Sequence, residues 1–106
     1  MTPAYSIERV GQRILDLRQL HTFRVVALTR NFTRAAAELG CCQSTVTVHI
    51  QALERELGVS LFERDRSSKT VVLTDEGERV LGYAQRLLAL ANEVNAAVSS
   101  GARTPG

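Results

Sequence analysis

Residues 32–58 read FTRAAAELGCCQSTVTVHIQALERELG, and the apolar spacing in this stretch decides the fold. Val46, Ile50, Leu53 and Leu57 fall at i, i+4, i+7 and i+11, a single buried stripe on a helical repeat. The spacing predicts a helix that starts near Gln43 and stops at Gly58, because a helix that closes on a left-handed residue favours glycine. Upstream, RAAAEL predicts a shorter helix with Thr33 as its cap. Ala36 and Leu39 would face inward there, with Arg34 and Glu38 in water, and Gly40 closes the helix. Only GCC separates the two.

Working outward, LRQLHTFRVVALT at 17–29 sets Leu17, Leu20, Phe23, Val26, Ala27 and Thr29 close to a 3–4 spacing, with Asp16 as N-cap and Asn31 as a stop. Beyond Gly58, SLFERDRSSKTVVLT has two short apolar runs around a polar, basic tip, which predicts strands at 60–64 and 70–73. So small a hairpin has to lie against the helices. Thr74 caps a last helix, with Asp75, Glu76 and Glu78 in its first turn, where carboxylates favour the positive end of the dipole. Val80, Ala84, Leu87, Ala91, Val94 and Val98 then follow at gaps of four and three, and Leu81, Leu88 and Leu90 widen the apolar face. That surface exceeds what so small a domain can cover, so this seam, Leu88 included, is read as a dimerisation face rather than a helix folded back on its own core. Helix, short helix, turn, helix and two-stranded hairpin is the winged helix-turn-helix order, a mainly α fold.

The organisation expected is an N-terminal extension over 1–15, read as a flexible arm or extra helix, and a winged helix-turn-helix over 16–74, its two central helices at about 33–53. A linker helix over 75–98 and a disordered tail over 99–106 complete it. At 106 residues, 44% hydrophobic, the chain suits one domain and not two. No apolar run reaches the roughly 20 residues that span a bilayer, and the first residues lack the apolar core of a secretory signal. A cytoplasmic protein without membrane contact is the expectation. Between Leu17 and Leu73 stand eight basic residues against five acidic ones, a modest bias that suits nucleic acid.

Enzyme chemistry finds little support. His21 and His49 lie on different predicted helices without a nucleophile at workable spacing, and the seven glycines are dispersed. The only two cysteines, Cys41 and Cys42, are too few for zinc, and neighbours in sequence pair poorly as a disulfide. No catalytic residue, metal or cofactor is expected.

Taken together, FTRAAAEL, QSTVTVHIQALERELGVSLFER and LTDEG stand in one order within residues 16–81, and this segment resembles the N-terminal DNA-binding domain of LysR-type transcriptional regulators. The resemblance implies a winged helix-turn-helix, a linker helix that pairs two subunits, and binding to double-stranded promoter DNA to control transcription. Members of that family usually continue into a larger effector-binding domain. This chain stops at Gly106, so the DNA-binding portion alone is expected, with no small-molecule effector bound by it. The competing reading is an interaction module whose linker helix forms mixed dimers with a full-length regulator.

Contact with DNA needs donors on a helix that enters the major groove. Gln43 suits adenine or a phosphate; Ser44, Thr45 and Thr47 offer hydroxyls without bulk; His49 would reach a base edge or phosphate. Val48 stands where the resembled family is often basic or polar, and suits a thymine methyl or no readout at all. Thr33 and Arg34 would meet backbone phosphate. Arg66 and Lys69 would sit at the minor groove, with Arg64 either joining them or pairing with an acid. Cys41 is expected to fill a small apolar slot between the two helices. Cys42 stands at the N-cap of the recognition helix, where the family prefers a hydroxyl, and belongs with the DNA-facing set.

Overall fold

Asp16 starts the first described helix, because its carboxylate accepts the backbone N–H of Arg18 at 2.9 Å. That bond holds the Asp16 carboxyl below its ordinary range. The computed structural model describes residues 15–63 and 70–103, with side chains as far as Ser99. Its helices are α1 (Leu17–Thr29), α2 (Phe32–Leu39), α3 (Gln43–Leu57) and α4 (Asp75–Arg103). Among the described residues no helix is long and apolar enough to cross a membrane.

The predicted caps and stops hold except at the end of α1 and the start of α2. Gly40 and Gly58 close α2 and α3 in the left-handed region, at φ 71° and 73°. Arg30 closes α1 in the same region at φ 57°, so the chain reverses at Arg30 and Asn31 is free to start the next helix. The Asn31 side chain accepts the backbone N–H of Arg34 at 2.9 Å, and Asn31, not Thr33, is the N-cap of α2. Thr33 already lies inside the helix, with its hydroxyl turned to Gln43. Cys42 is the N-cap of α3, and its thiol makes no capping hydrogen bond.

Cys41 does not fill an interhelical slot: it is exposed. The way α2 ends explains this. Gly40 donates to Ala37 and Cys41 to the Ala36 carbonyl at 3.0 Å, so the backbone is committed to closing the helix and the side chain faces out. Cys41 instead edges a cleft of about 340 Å³ shared with Leu17, Leu39, Thr45 and His49.

One core joins every element. Leu20, Phe23, Val26 and Ala27 of α1 meet Ala35 and Ala36 of α2, Val46, Ile50 and Leu53 of α3, Leu61, Phe62, and Ala84 of α4. The Phe62 ring lies 5.4 Å from Phe23 and 5.9 Å from Phe32, tilted against both, which fastens the start of the wing to α1 and α2. Leu17, expected inside, is 45% exposed, while Thr22 is buried in its stead.

The two expected strands reduce, among the described residues, to one antiparallel bridge, Phe62 with Leu73. Glu63 donates to Val72 at 2.7 Å and Thr74 to Leu61 at 3.0 Å. Further bonds tie this segment to the elements around it. Val71 donates to the Arg30 carbonyl, and the Ser60 carbonyl takes the Thr74 hydroxyl at 2.6 Å. The tip residues Arg64, Arg66 and Lys69, like the extension before Leu15, lie outside the described residues.

Thr74 caps α4, accepting the Gly77 N–H at 2.9 Å. The helix runs five residues beyond the expected end at 98, so 99–103 are helical rather than tail. The seam does not work as one face. Ala84 is fully buried in the chain's own core and Val80 packs against it, so neither is free for a partner. Leu88 and Ala91 are half-buried. Leu87, Leu90, Val94 and Val98 are exposed, and so is Tyr83, whose ring carries the Arg86 guanidinium at 5.2 Å.

Gly77 is buried where α4 crosses the start of the wing, and a Cβ there would collide with the Leu61 carbonyl oxygen and come within 2.9 Å of Leu73 Cδ2. Gly77→Ala should therefore lower stability by about 1–3 kcal/mol, although alanine inside a helix ordinarily raises it. Thermal melting followed by circular dichroism reads the sign. Cys42→Ser supplies the oxygen acceptor that α3 lacks and should raise stability by up to about 1 kcal/mol; an unchanged or lower melting temperature would contradict that reading of the cap.

Candidate nucleic-acid interface

Val46, Ile50 and Leu53 fix which way α3 faces. At about 100° per residue, the line opposite them is Ser44, Val48, Gln51 and Arg55, and all four are exposed. The sequence reading missed Gln51 and Arg55. Their signal was available: they continue the i+3 and i+4 steps from Val48. Arg55 also stands in the last turn, where a cation is favoured by the helix dipole.

The first turns of α2 and α3 are joined directly. Thr33 Oγ1 donates to Gln43 Oε1 at 3.1 Å, which leaves the Gln43 NH₂ to donate elsewhere. Arg34 is exposed beside Thr33, its backbone N–H held by Asn31. Thr33 and Gln43 thus meet at the mouth of the helix-turn-helix, with Arg34, Cys42 and Ser44 exposed next to them in sequence.

His49 lies apart from the outward line. It is half-buried, and its Nδ1 lies 2.9 Å from Oγ1 of buried Thr22. That hydrogen bond ties α3 to α1 and turns the ring to the flank, away from the outward line. Thr45 and Thr47 are half-buried on either side of that line. His21 is exposed, 3.2 Å from the Arg24 guanidinium. The outward surface therefore offers hydroxyls, amides, one guanidinium and one isopropyl group. Such a set can donate to phosphate and touch base edges.

Glu54 lies on the other flank of α3, and its carboxylate accepts the Leu61 N–H at 2.8 Å. It orients the chain as it enters the wing. Among the described residues, no group of three or more His, Cys, Asp or Glu side chains is arranged to hold a metal.

Residues 17–78 match the family described as bacterial regulatory helix-turn-helix protein, lysR family. The HTH-type transcriptional regulator CitR of Bacillus subtilis (strain 168) is 47% identical over 74 residues, 70% of this chain and 25% of that protein. The RuBisCO operon transcriptional regulator of Allochromatium vinosum is 44% identical over 73 residues, 69% of this chain and 24% of that protein. The chain spans about a quarter of the length of these relatives. Among solved structures, the BenM DNA-binding domain with catB site 1 DNA superposes with a TM-score of 0.80 at 34% identity, covering 87% of this chain and all of that one. The CbnR DNA-binding domain bound to DNA gives 0.76 at 37% identity, covering 84% of this chain and all of that one. With a winged helix-turn-helix fold and a family match over most of its described length, the chain belongs to the LysR family of bacterial helix-turn-helix regulatory proteins.

Proposed function

We propose that this chain binds double-stranded promoter DNA in the cytoplasm as a homodimer and regulates transcription without catalysing a reaction. The observation that carries this reading is the outward line of α3, whose polar groups are held opposite the core beside Thr33 and Arg34. Two relatives of similar fold are complexes of DNA-binding domains with DNA. On this reading α3 lies in the major groove, and Ser44, Val48 and Gln51 face base edges. Thr33, Arg34 and Gln43 meet the phosphates alongside, and the wing residues Arg64, Arg66 and Lys69 lie toward the minor groove. His49 serves as a strut through Thr22 rather than a reader of bases.

Pairing through α4 follows from its exposed stripe. Tyr83, Leu87, Leu90, Val94 and Val98 advance by gaps of four, three, four and four, and lie outside the chain's own core. This is the apolar seam of a two-helix contact, shifted from the one drawn on spacing alone.

Affinity for a selected duplex should fall steeply as salt rises, and Arg34→Ala should weaken binding to all sequences alike while reducing the salt slope by about 1. Gel-shift titrations across a salt series measure both; a chain that binds no duplex in a salt-sensitive way would refute the proposal. Leu90→Asp should weaken self-association at least about tenfold with the helical signal retained, as sedimentation reads it. An unchanged dimer would place the contact elsewhere.

A further inference from the structure

Val48 is the one large apolar side chain exposed between Asn31 and Glu63 among the described residues, at 58%. It stands nearly opposite the buried stripe of α3, at the middle of the outward line, with Ser44 one turn before it and Gln51 just under one turn after. Nothing in the chain's own packing calls for it. Valine is a poorer helix former than alanine, and the apolar group faces water. A glutamine or lysine would suit both the helix and the solvent better, and at this place the isopropyl group is open to contact from outside the chain.

We propose that Val48 reads a thymine through its C5-methyl group, and so selects an A·T pair at the centre of each half-site. This rests on the DNA-binding reading above and sharpens it into a base preference. Of the four bases, only thymine presents an apolar group at its major-groove edge. A valine there can neither donate to guanine nor accept from cytosine, so a G·C pair opposite it loses water from its polar edge without gaining a hydrogen bond. Methyl against methyl instead removes apolar surface from water on both sides. The expected discrimination is about fourfold per half-site, the worth of one buried methyl-sized group. Ser44 and Gln51 flank the contact with groups that can bond the neighbouring bases.

The test is chemical. Duplexes are selected from a random pool with the purified full chain. Each thymine of the selected half-site is then replaced singly by deoxyuridine, which lacks only the methyl group. The wild-type chain should lose about fourfold in affinity at one central position, and Val48→Ala, whose shorter side chain covers less of the methyl group, should show a clearly smaller difference between thymine and deoxyuridine there. Alanine at an exposed helix position keeps the fold, and the helical signal verifies it. Salt-sensitive binding with no methyl-sensitive thymine, or a methyl effect undiminished in Val48→Ala, would overturn the assignment while leaving DNA binding intact. Failure to bind any duplex would overturn both readings together.

Discussion

The burial of Val46, Ile50 and Leu53 against Leu20, Phe23 and Val26 is the contact on which the rest depends. Alone, a helix of 15 residues is marginal in water, and one of 8 residues more so. What makes α3 a rigid rod is the stripe it buries. The same stripe fixes its rotation, and rotation decides which side chains look outward. If the helix turned by one residue, Val48 would leave the pole of the outward face and His49 would move toward it. The Thr22–His49 bond, across 27 residues of sequence, pins that setting from the flank.

A second constraint acts at the base of the wing. Phe62 packs between Phe23 and Phe32, Glu54 holds the Leu61 N–H, and Gly77 lets α4 cross close to the Leu61 carbonyl. Leu61 and Phe62 thereby connect the surface of α3 with the exposed stripe of α4. Two proposed interfaces, one for DNA and one for a second copy, are thus set by one small core. A change at that junction alters the angle between them, and half-site spacing in a dimer depends on such geometry.

Much of this was legible in the sequence because its signals are local. The α3 stripe, the two glycine stops, the Asp16 and Thr74 caps and the position of Cys42 all follow from spacing and from one residue's conformational preference. The readings that failed depended on non-local facts. Asn31 and Thr33 are both good caps, and the left-handed turn at Arg30 decides between them. Val71 gives its N–H to Arg30, forty-one positions earlier, a tie that no local spacing announces. Apolar spacing in α4 is the same whether the partner is the chain's own core or a second copy, so Ala84 was assigned to the wrong surface. Cys41 and His49 changed roles for the same reason: spacing gives a residue's place along a helix, whereas its neighbours come from elsewhere in the chain.

The central claim is that the outward face of α3 is the reading surface and that α4 lies apart from it. Backbone amide shifts, followed by NMR as a selected duplex is added, test this most directly. The account predicts the largest changes at Thr33, Arg34 and from Gln43 to Gln51, with little at Leu90, Val94 and Val98. Changes concentrated on the α4 stripe, with α3 silent, would contradict it.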